Sequence, residues 1–353
     1  MLQNTFRGKR VLVTGDTGFK GSWLSVWLHE LGANVVGYAL PPERGNDHFN
    51  LLALNRIIHH VDGDIRDYSS FKQVVNDFQP QFIFHLAAQS LVRLSYDEPK
   101  LTFDTNAAGS VNVLEACRTT ASVRVLIFVT SDKCYRNQEW TWGYRENDEL
   151  GGHDPYSASK AAAELIFSGY LDSYFAGRAH FGAASVRAGN VIGGGDWAED
   201  RIVPDSIKAL QKNAPIPLRN PHATRPWQHV LEPLSGYLLL AQKLNEEPKI
   251  YSGAWNFGPS SDAIHTVRDL AEKIVSCWGN GAISETKAAM PPHEARLLRL
   301  NCDKAHQLLG WRPRWAFYRA ISETVRWYLE VTAGTPAYTI TKKQIRDYAE
   351  EGA

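Results

Sequence analysis

The stretch Thr14-Gly15-Asp16-Thr17-Gly18-Phe19-Lys20-Gly21, directly after the apolar run Val11-Leu12-Val13, decides the fold. It reads as the join between a buried strand and a helix whose N-terminus receives a dinucleotide pyrophosphate. Gly15 allows the tight turn, Gly18 lets the backbone approach the phosphates, and Gly21 lets the helix pack closely on the strand. The context supports this reading. Trp23, Leu24, Val26, Trp27, Leu28 and Leu31 recur at helical spacing, Gly32 closes the helix, and a second strand runs from Asn34 to Tyr38. Gly15, Thr17, Gly18, Phe19, Lys20 and Gly21 are therefore candidate cofactor contacts.

Working outward, strand and helix signals alternate. A strand is expected near Ile57 to Val61, a helix from Ser69 to Phe78, a strand Phe82 to Leu86, a helix around Asn106 to Thr119 and a strand Val125 to Val129. A helix from about Ser157 to Phe175 and a strand from Gly182 to Val186 extend the series. This is the pattern of an α/β protein with a Rossmann-type doubly wound parallel sheet. After Arg187 the texture changes to Gly193-Gly194-Gly195 and a scatter of prolines, so the chain is expected to leave the sheet and build a smaller, interleaved α+β substrate domain. The expected partition is 1–188 for the dinucleotide domain, with segments near 231–258 returning to it, and 189–353 for the substrate domain. The polar tail after Ala333 is expected to be loosely held.

Composition sets bounds. The 353 residues carry 38 basic and 38 acidic side chains, and this balance argues against a nucleic-acid or membrane-surface partner. No apolar run approaches a membrane span, and the first strand begins within a dozen residues of Met1, so a cytoplasmic protein without a signal peptide is expected. Cys117, Cys134, Cys277 and Cys302 are scattered without CxxC pairing, so free thiols are expected and no metal site.

Tyr156 and Lys160 stand four apart in Tyr156-Ser157-Ala158-Ser159-Lys160, on one helix face. The spacing suits a base and its tuner. A free tyrosine is only about 0.1% phenolate at neutral pH, and lowering its pKa by about 3 units takes about 4 kcal/mol. An ammonium about 4 Å away supplies roughly that at an effective dielectric of about 20.

With the glycine loop and this pair, the chain resembles the extended short-chain dehydrogenase/reductase family over nearly its whole length. The resemblance implies NAD as cofactor and assigns further contacts. Gly63-Asp64-Ile65-Arg66-Asp67 resembles the adenine loop, with Asp64 toward the adenine amine and Ile65 beside it. His85-Leu86-Ala87-Ala88-Gln89 resembles the strand end under the cofactor ribose. Asn106, Gly109 and Asn112 resemble the family's structural helix pattern, and Asn190, in Arg187-Ala188-Gly189-Asn190-Val191, would touch a substrate diphosphate.

Thr130-Ser131-Asp132-Lys133-Cys134-Tyr135 narrows the branch. Nucleotide-sugar 4,6-dehydratases follow the Ser or Thr with Asp-Glu, and the Asp132-Lys133 found here resembles the branch that takes a cytidine-diphosphate sugar. The resemblance implies a lyase of deoxysugar biosynthesis for surface polysaccharide. It further implies that Tyr156 would take the sugar 4-hydroxyl proton with Ser131 bonding the same oxygen, Lys133 would remove the C5 proton, Asp132 would protonate the departing 6-hydroxyl, and hydride would return to C6. A 4-epimerase or reductase of the same fold is the alternative, and a non-catalytic nucleotide-binding protein is the reading from another class. The resemblance also implies a homodimer or dimer of dimers, built on the helices at 106–119 and 157–175.

A diphosphate needs local cations because net charge supplies none. Arg201 and Arg225 are the candidates, then Arg296 and Arg299, with Glu294 for a ribose and Trp197 or Trp227 flanking the sugar or base. The adenosine ribose end has a gap: the second strand ends Tyr38-Ala39-Leu40-Pro41, with no carboxylate before Glu43. Looser cofactor retention is therefore expected, and Arg44 is left as a possible grip on a 2′-phosphate.

Overall fold

The structure, a computed structural model, describes residues 2–260, 265–285 and 297–351. Seven strands form one sheet: β1 Arg10–Thr14, β2 Asn34–Ala39, β3 His59–Asp62, β4 Phe82–His85, β5 Val125–Val129, β6 Gly182–Ala188 and β7 Gly253–Phe257. Their order is β3-β2-β1-β4-β5-β6-β7, and every neighbouring pair is parallel. The order reverses between β1 and β4, where open α/β sheets leave a ligand crevice at the strand carboxyl ends.

Alternation along the strands assigns the two faces. Val11, Val13, Phe82, Phe84, Val125, Ile127, Ala184 and Val186 belong to one core with helices α1 (Phe19–Glu30) and α5 (Leu231–Glu246). Leu12, Ile83, Leu126, Phe128 and Ala183 belong to a second core with α2 (Tyr68–Phe78), α3 (Gly109–Arg118) and α4 (Pro155–Tyr170). Burial on both faces explains why these strands are near-continuous apolar runs. Short two-stranded pairings lie outside the main sheet: Val191–Ile192 with Gln228–His229, Thr224–Arg225 with His265–Thr266, and Ile216–Leu218 with Ile283–Glu285.

One expectation is sharpened and one changes. The helix expected around 106–119 is present, and its first part, Asp104–Ala108, is a wider helical turn that runs into Gly109–Arg118. That turn frees the Asn106 side chain: its Oδ1 accepts from the Gln89 N–H at 2.9 Å, and its Nδ2 donates to Gln89 O and Ser159 Oγ, each at 2.9 Å. The tail expected to be loose is instead helix α7 (Ala337–Glu350), which follows α6 (Phe317–Thr332). Ala337, Ile340, Thr341, Gln344, Ile345 and Tyr348 are buried at spacings of three and four, a narrow stripe diluted by the polar residues around it.

Candidate active site

The glycine loop holds its shape through backbone that no side chain could share. Gly15 sits at φ +77°, and a Cβ there would stand 2.8 Å from the Ala87 nitrogen. A Cβ on Gly21 would stand 2.0 Å from the Gly15 oxygen. Gly18 is the N-cap of α1 with no side-chain cap, so the first-turn N–H groups are left to an anion. Across the switch point, the Thr14 hydroxyl bonds His85 Nδ1 at 2.8 Å and accepts from the Leu86 and Ala87 N–H groups at 3.1 and 3.2 Å. Burial drops His85 to about 3, so the imidazole is neutral. A dinucleotide fits this cradle: an uncapped helix start, glycine clearances, and the turn at Leu86, Ala87, Ala88 and Gln89 beside it.

Beyond β5, Ser131 caps a short turn at Asp132–Cys134, accepting from the Lys133 N–H at 3.2 Å and donating to Asp132 Oδ1 at 3.0 Å. Asp132 is buried, and desolvation raises its pKa against the opposing pull of Lys133, Ser131 and Lys20. Its Oδ2 lies 3.1 Å from where a Cβ on Gly189 would be, so the residue after β6 stays small to admit the carboxyl. Among the described residues, Asp132 and Lys133 form no ion pair.

Helix α4 brings Tyr156 and Lys160 to the same place. Asp154 caps it, accepting from the Ser157 N–H at 2.9 Å and its hydroxyl at 2.6 Å, and Pro155 occupies the first turn. Both side chains are buried. Desolvation, then Lys20, lowers Lys160 to about 8. Desolvation pushes Tyr156 up to about 12, while Ser131 and the Arg201 charge act against it. Without a bound ligand burial outweighs charge at the phenol, and Arg201 is the cation that acts beside it. Lys20 also belongs here. Its ammonium, lowered to about 8 chiefly by desolvation, feels Arg201, Asp132 and Asp196.

The other expected contacts divide. Arg201 donates to Asp196 Oδ2 at 2.9 Å beside Tyr156. Arg225, Arg299 and Gly189 line one cavity with Pro226, Leu298 and Trp142. Asn190 follows Gly189, and its carbonyl accepts from the Gln228 N–H at 3.0 Å. Arg296 and Glu294 lie outside the described residues. Asp64 is engaged by Arg66, through the backbone N–H at 2.9 Å and Nε at 2.9 and 3.0 Å. Ile65 is buried against α3. Trp227 is core, packed on Phe317, and Trp197 meets Tyr328 edge-on, so neither is the expected flank for sugar or base. Arg44 donates to Trp197 O at 2.8 Å and Glu199 Oε1 at 2.9 Å and is already engaged at the ribose end.

Two neighbours of the candidate site escaped sequence reading. Glu164, buried one turn beyond Lys160, accepts from Thr130, from Ser185 at 2.8 Å and from Arg187 at 2.8 and 2.9 Å, fixing a negative charge behind Lys160. Trp142 is 61% exposed at the cavity and ends a run of rings through Trp140, Tyr144 and Tyr135. Two tryptophans in the polar stretch Gln138-Glu139-Trp140-Thr141-Trp142 were its only signal.

Residues 12–324 match the family model described as GDP-mannose 4,6 dehydratase. The chain belongs to this family. Within the family, it is 46% identical over 351 residues to the CDP-glucose 4,6-dehydratase of Salmonella typhimurium, covering 98% of each chain. Among solved structures it resembles the UDP-glucose 4-epimerase of Thermus thermophilus in complex with NAD, at 27% identity and TM-score 0.76, over 90% of this chain and 98% of that one. The dTDP-glucose 4,6-dehydratase of Bacillus anthracis, at 22% identity and TM-score 0.76 over 92% and 97% of the chains, shares the fold. The 4,6-dehydratase family thus accounts for the sheet and the glycine loop together.

Proposed function

We propose that the chain is a cytoplasmic hydro-lyase that converts CDP-D-glucose to CDP-4-keto-6-deoxy-D-glucose and water, with NAD as a cofactor that is regenerated within each turnover. The observation that carries this reading is Asp132: a buried carboxyl, held toward its protonated form by desolvation, bonded to Ser131 and near Tyr156. A 4-epimerase has no need of an acid there. Elimination of water does.

NAD bound in the glycine cradle supplies the acceptor for the C4 hydride and its later donor to C6. Tyr156 removes the 4-hydroxyl proton, with Ser131 holding the same oxygen and Lys160 beneath. The resulting 4-ketone acidifies C5, Lys133 takes that proton, Asp132 delivers one to the leaving 6-hydroxyl, and Lys133 returns a proton to C5 when C6 has received the hydride. Arg201 and Arg225 hold the diphosphate, and the cavity bearing Trp142 and Arg299 receives the nucleoside. Exposed Leu165 and Tyr174, in the helical segment expected at 157–175, support a homodimer contact there.

Incubation with CDP-, dTDP- and UDP-glucose, without external reductant, tests the assignment. The expected result is a 4-keto product lighter by one water, formed from CDP-glucose with kcat/KM about 100-fold above the others, the factor that one buried base contact left unpaired at about 1–3 kcal/mol gives. An isomer of unchanged mass would mean an epimerase, and preference for another base would overturn the cytidine reading.

A further inference from the structure

A carboxylate inside a pyrophosphate-binding loop is electrostatically misplaced, yet Asp16 stands between Gly15 and Thr17 and is fully buried. Its side chain folds back over β2: a Cβ on Gly37 would stand 2.0 Å from Asp16 Oδ2, so the glycine makes the room. Oδ2 meets His60 Nδ1 at 2.7 Å, and Oδ1 is buried without a partner. The other ring nitrogen, Nε2, meets Asp62 Oδ1 at 3.1 Å. Desolvation raises the pKa of Asp16, and the His60 contact opposes that rise; with Asp16 ionised, both carboxylates only accept, so the histidine between them carries protons on both nitrogens and is an imidazolium. Its pKa is raised against its burial by Asp16 first and then Asp62. The groups around the ring are Asp16 from the loop, Asp62 on its own strand, Gly37 opposite it on β2, and the Phe49 ring at 4.8 Å from the short helix His48–Leu51. Asp16 and Asp62 are the charged ones among them.

We propose that His60 is a positioning residue for the cofactor: as an imidazolium it neutralises Asp16 and holds its carboxylate away from the pyrophosphate, so that NAD affinity depends on His60 protonation. This rests on NAD being the occupant of the glycine loop. Without the proton, one negative charge faces the phosphates from inside the loop. With it, the uncapped helix N-terminus acts alone. The sign follows: affinity is full while His60 is protonated and falls as pH rises through its raised pKa.

Calorimetric titration of NAD into the full-length protein across pH 6 to 9 tests this without reference to turnover. Lys20 and Lys160 titrate in the same window, so Asp16→Asn is the control. The wild type is expected to lose affinity with rising pH more steeply than Asp16→Asn. His60→Gln is expected to weaken NAD about tenfold at pH 6, where the raised pKa keeps wild-type His60 protonated, equivalent to about 1.4 kcal/mol, and Asp16→Asn in the same chain to restore it. Equal slopes in wild type and Asp16→Asn overturn the proposal even if His60→Gln fails to fold. So does a double variant that stays as weak as His60→Gln. Absence of NAD binding at every pH, with binding of another dinucleotide, instead removes the cofactor reading beneath it.

Discussion

In the proposed reaction single residues divide the chemistry. Tyr156, Ser131 and Lys160 would serve the 4-hydroxyl, while Lys133 and Asp132 would serve C5 and the 6-hydroxyl. Lys133 is only partly buried and unpaired with Asp132, so it is placed to reach a substrate atom rather than to stabilise the turn. Lys133→Ala is expected to lower turnover about 100-fold or more, the usual scale of a lost general base. Deuterium from solvent at C5 should disappear with it. A loss of only a few-fold, or C5 exchange left intact, would assign the base elsewhere. The pair Tyr156 and Lys160 was legible because four residues is one helical turn, a local rule. Glu164 was not, because its partners Thr130, Ser185 and Arg187 arrive from other elements, and a Glu in a helix looks like any solvated face until the sheet covers it.

At the scale of elements, the strand, loop and helix β1-Gly15-α1 are one rigid unit. Gly21→Ala sets its new methyl 2.0 Å from the Gly15 oxygen, a backbone atom that cannot turn aside. The helix would have to lift from the strand, at a cost of about 3 kcal/mol or more, above the usual penalty for overpacking. Both thermal stability and NAD affinity are therefore expected to fall, and a variant with wild-type NAD affinity by titration would show that the close approach is not needed. This unit could be read from sequence because glycine is the only residue for such contacts. The cavity wall could not: Trp142, Arg225 and Leu298 come from three distant stretches, and only the folded chain says which aromatic is exposed beside them. Trp197 and Trp227 had equal claims by composition and are taken up by packing.

For the whole molecule, the last helix ties the two ends of the chain together. The Tyr348 ring meets Trp27 of α1 edge-on at 5.9 Å and Trp315 at 5.2 Å. Its hydroxyl donates to Glu232 Oε2 at 2.6 Å, and the same carboxylate accepts the N–H groups of Arg314 at 3.0 Å and Trp315 at 2.6 Å. Glu232 is buried on α5, and desolvation raises its pKa, so each donor lost leaves a carboxylate more exposed to that penalty. Tyr348→Phe keeps the ring packing and removes one donor. It is expected to cost about 1–3 kcal/mol, the range for a buried acceptor left short of its partner. Since α7 lies outside the catalytic constellation, kcat at a permissive temperature should be unchanged while the denaturation midpoint falls. A fall in kcat without loss of stability would mean that the C-terminal helix is coupled to the active site through α1 and the glycine loop, rather than serving as a clasp.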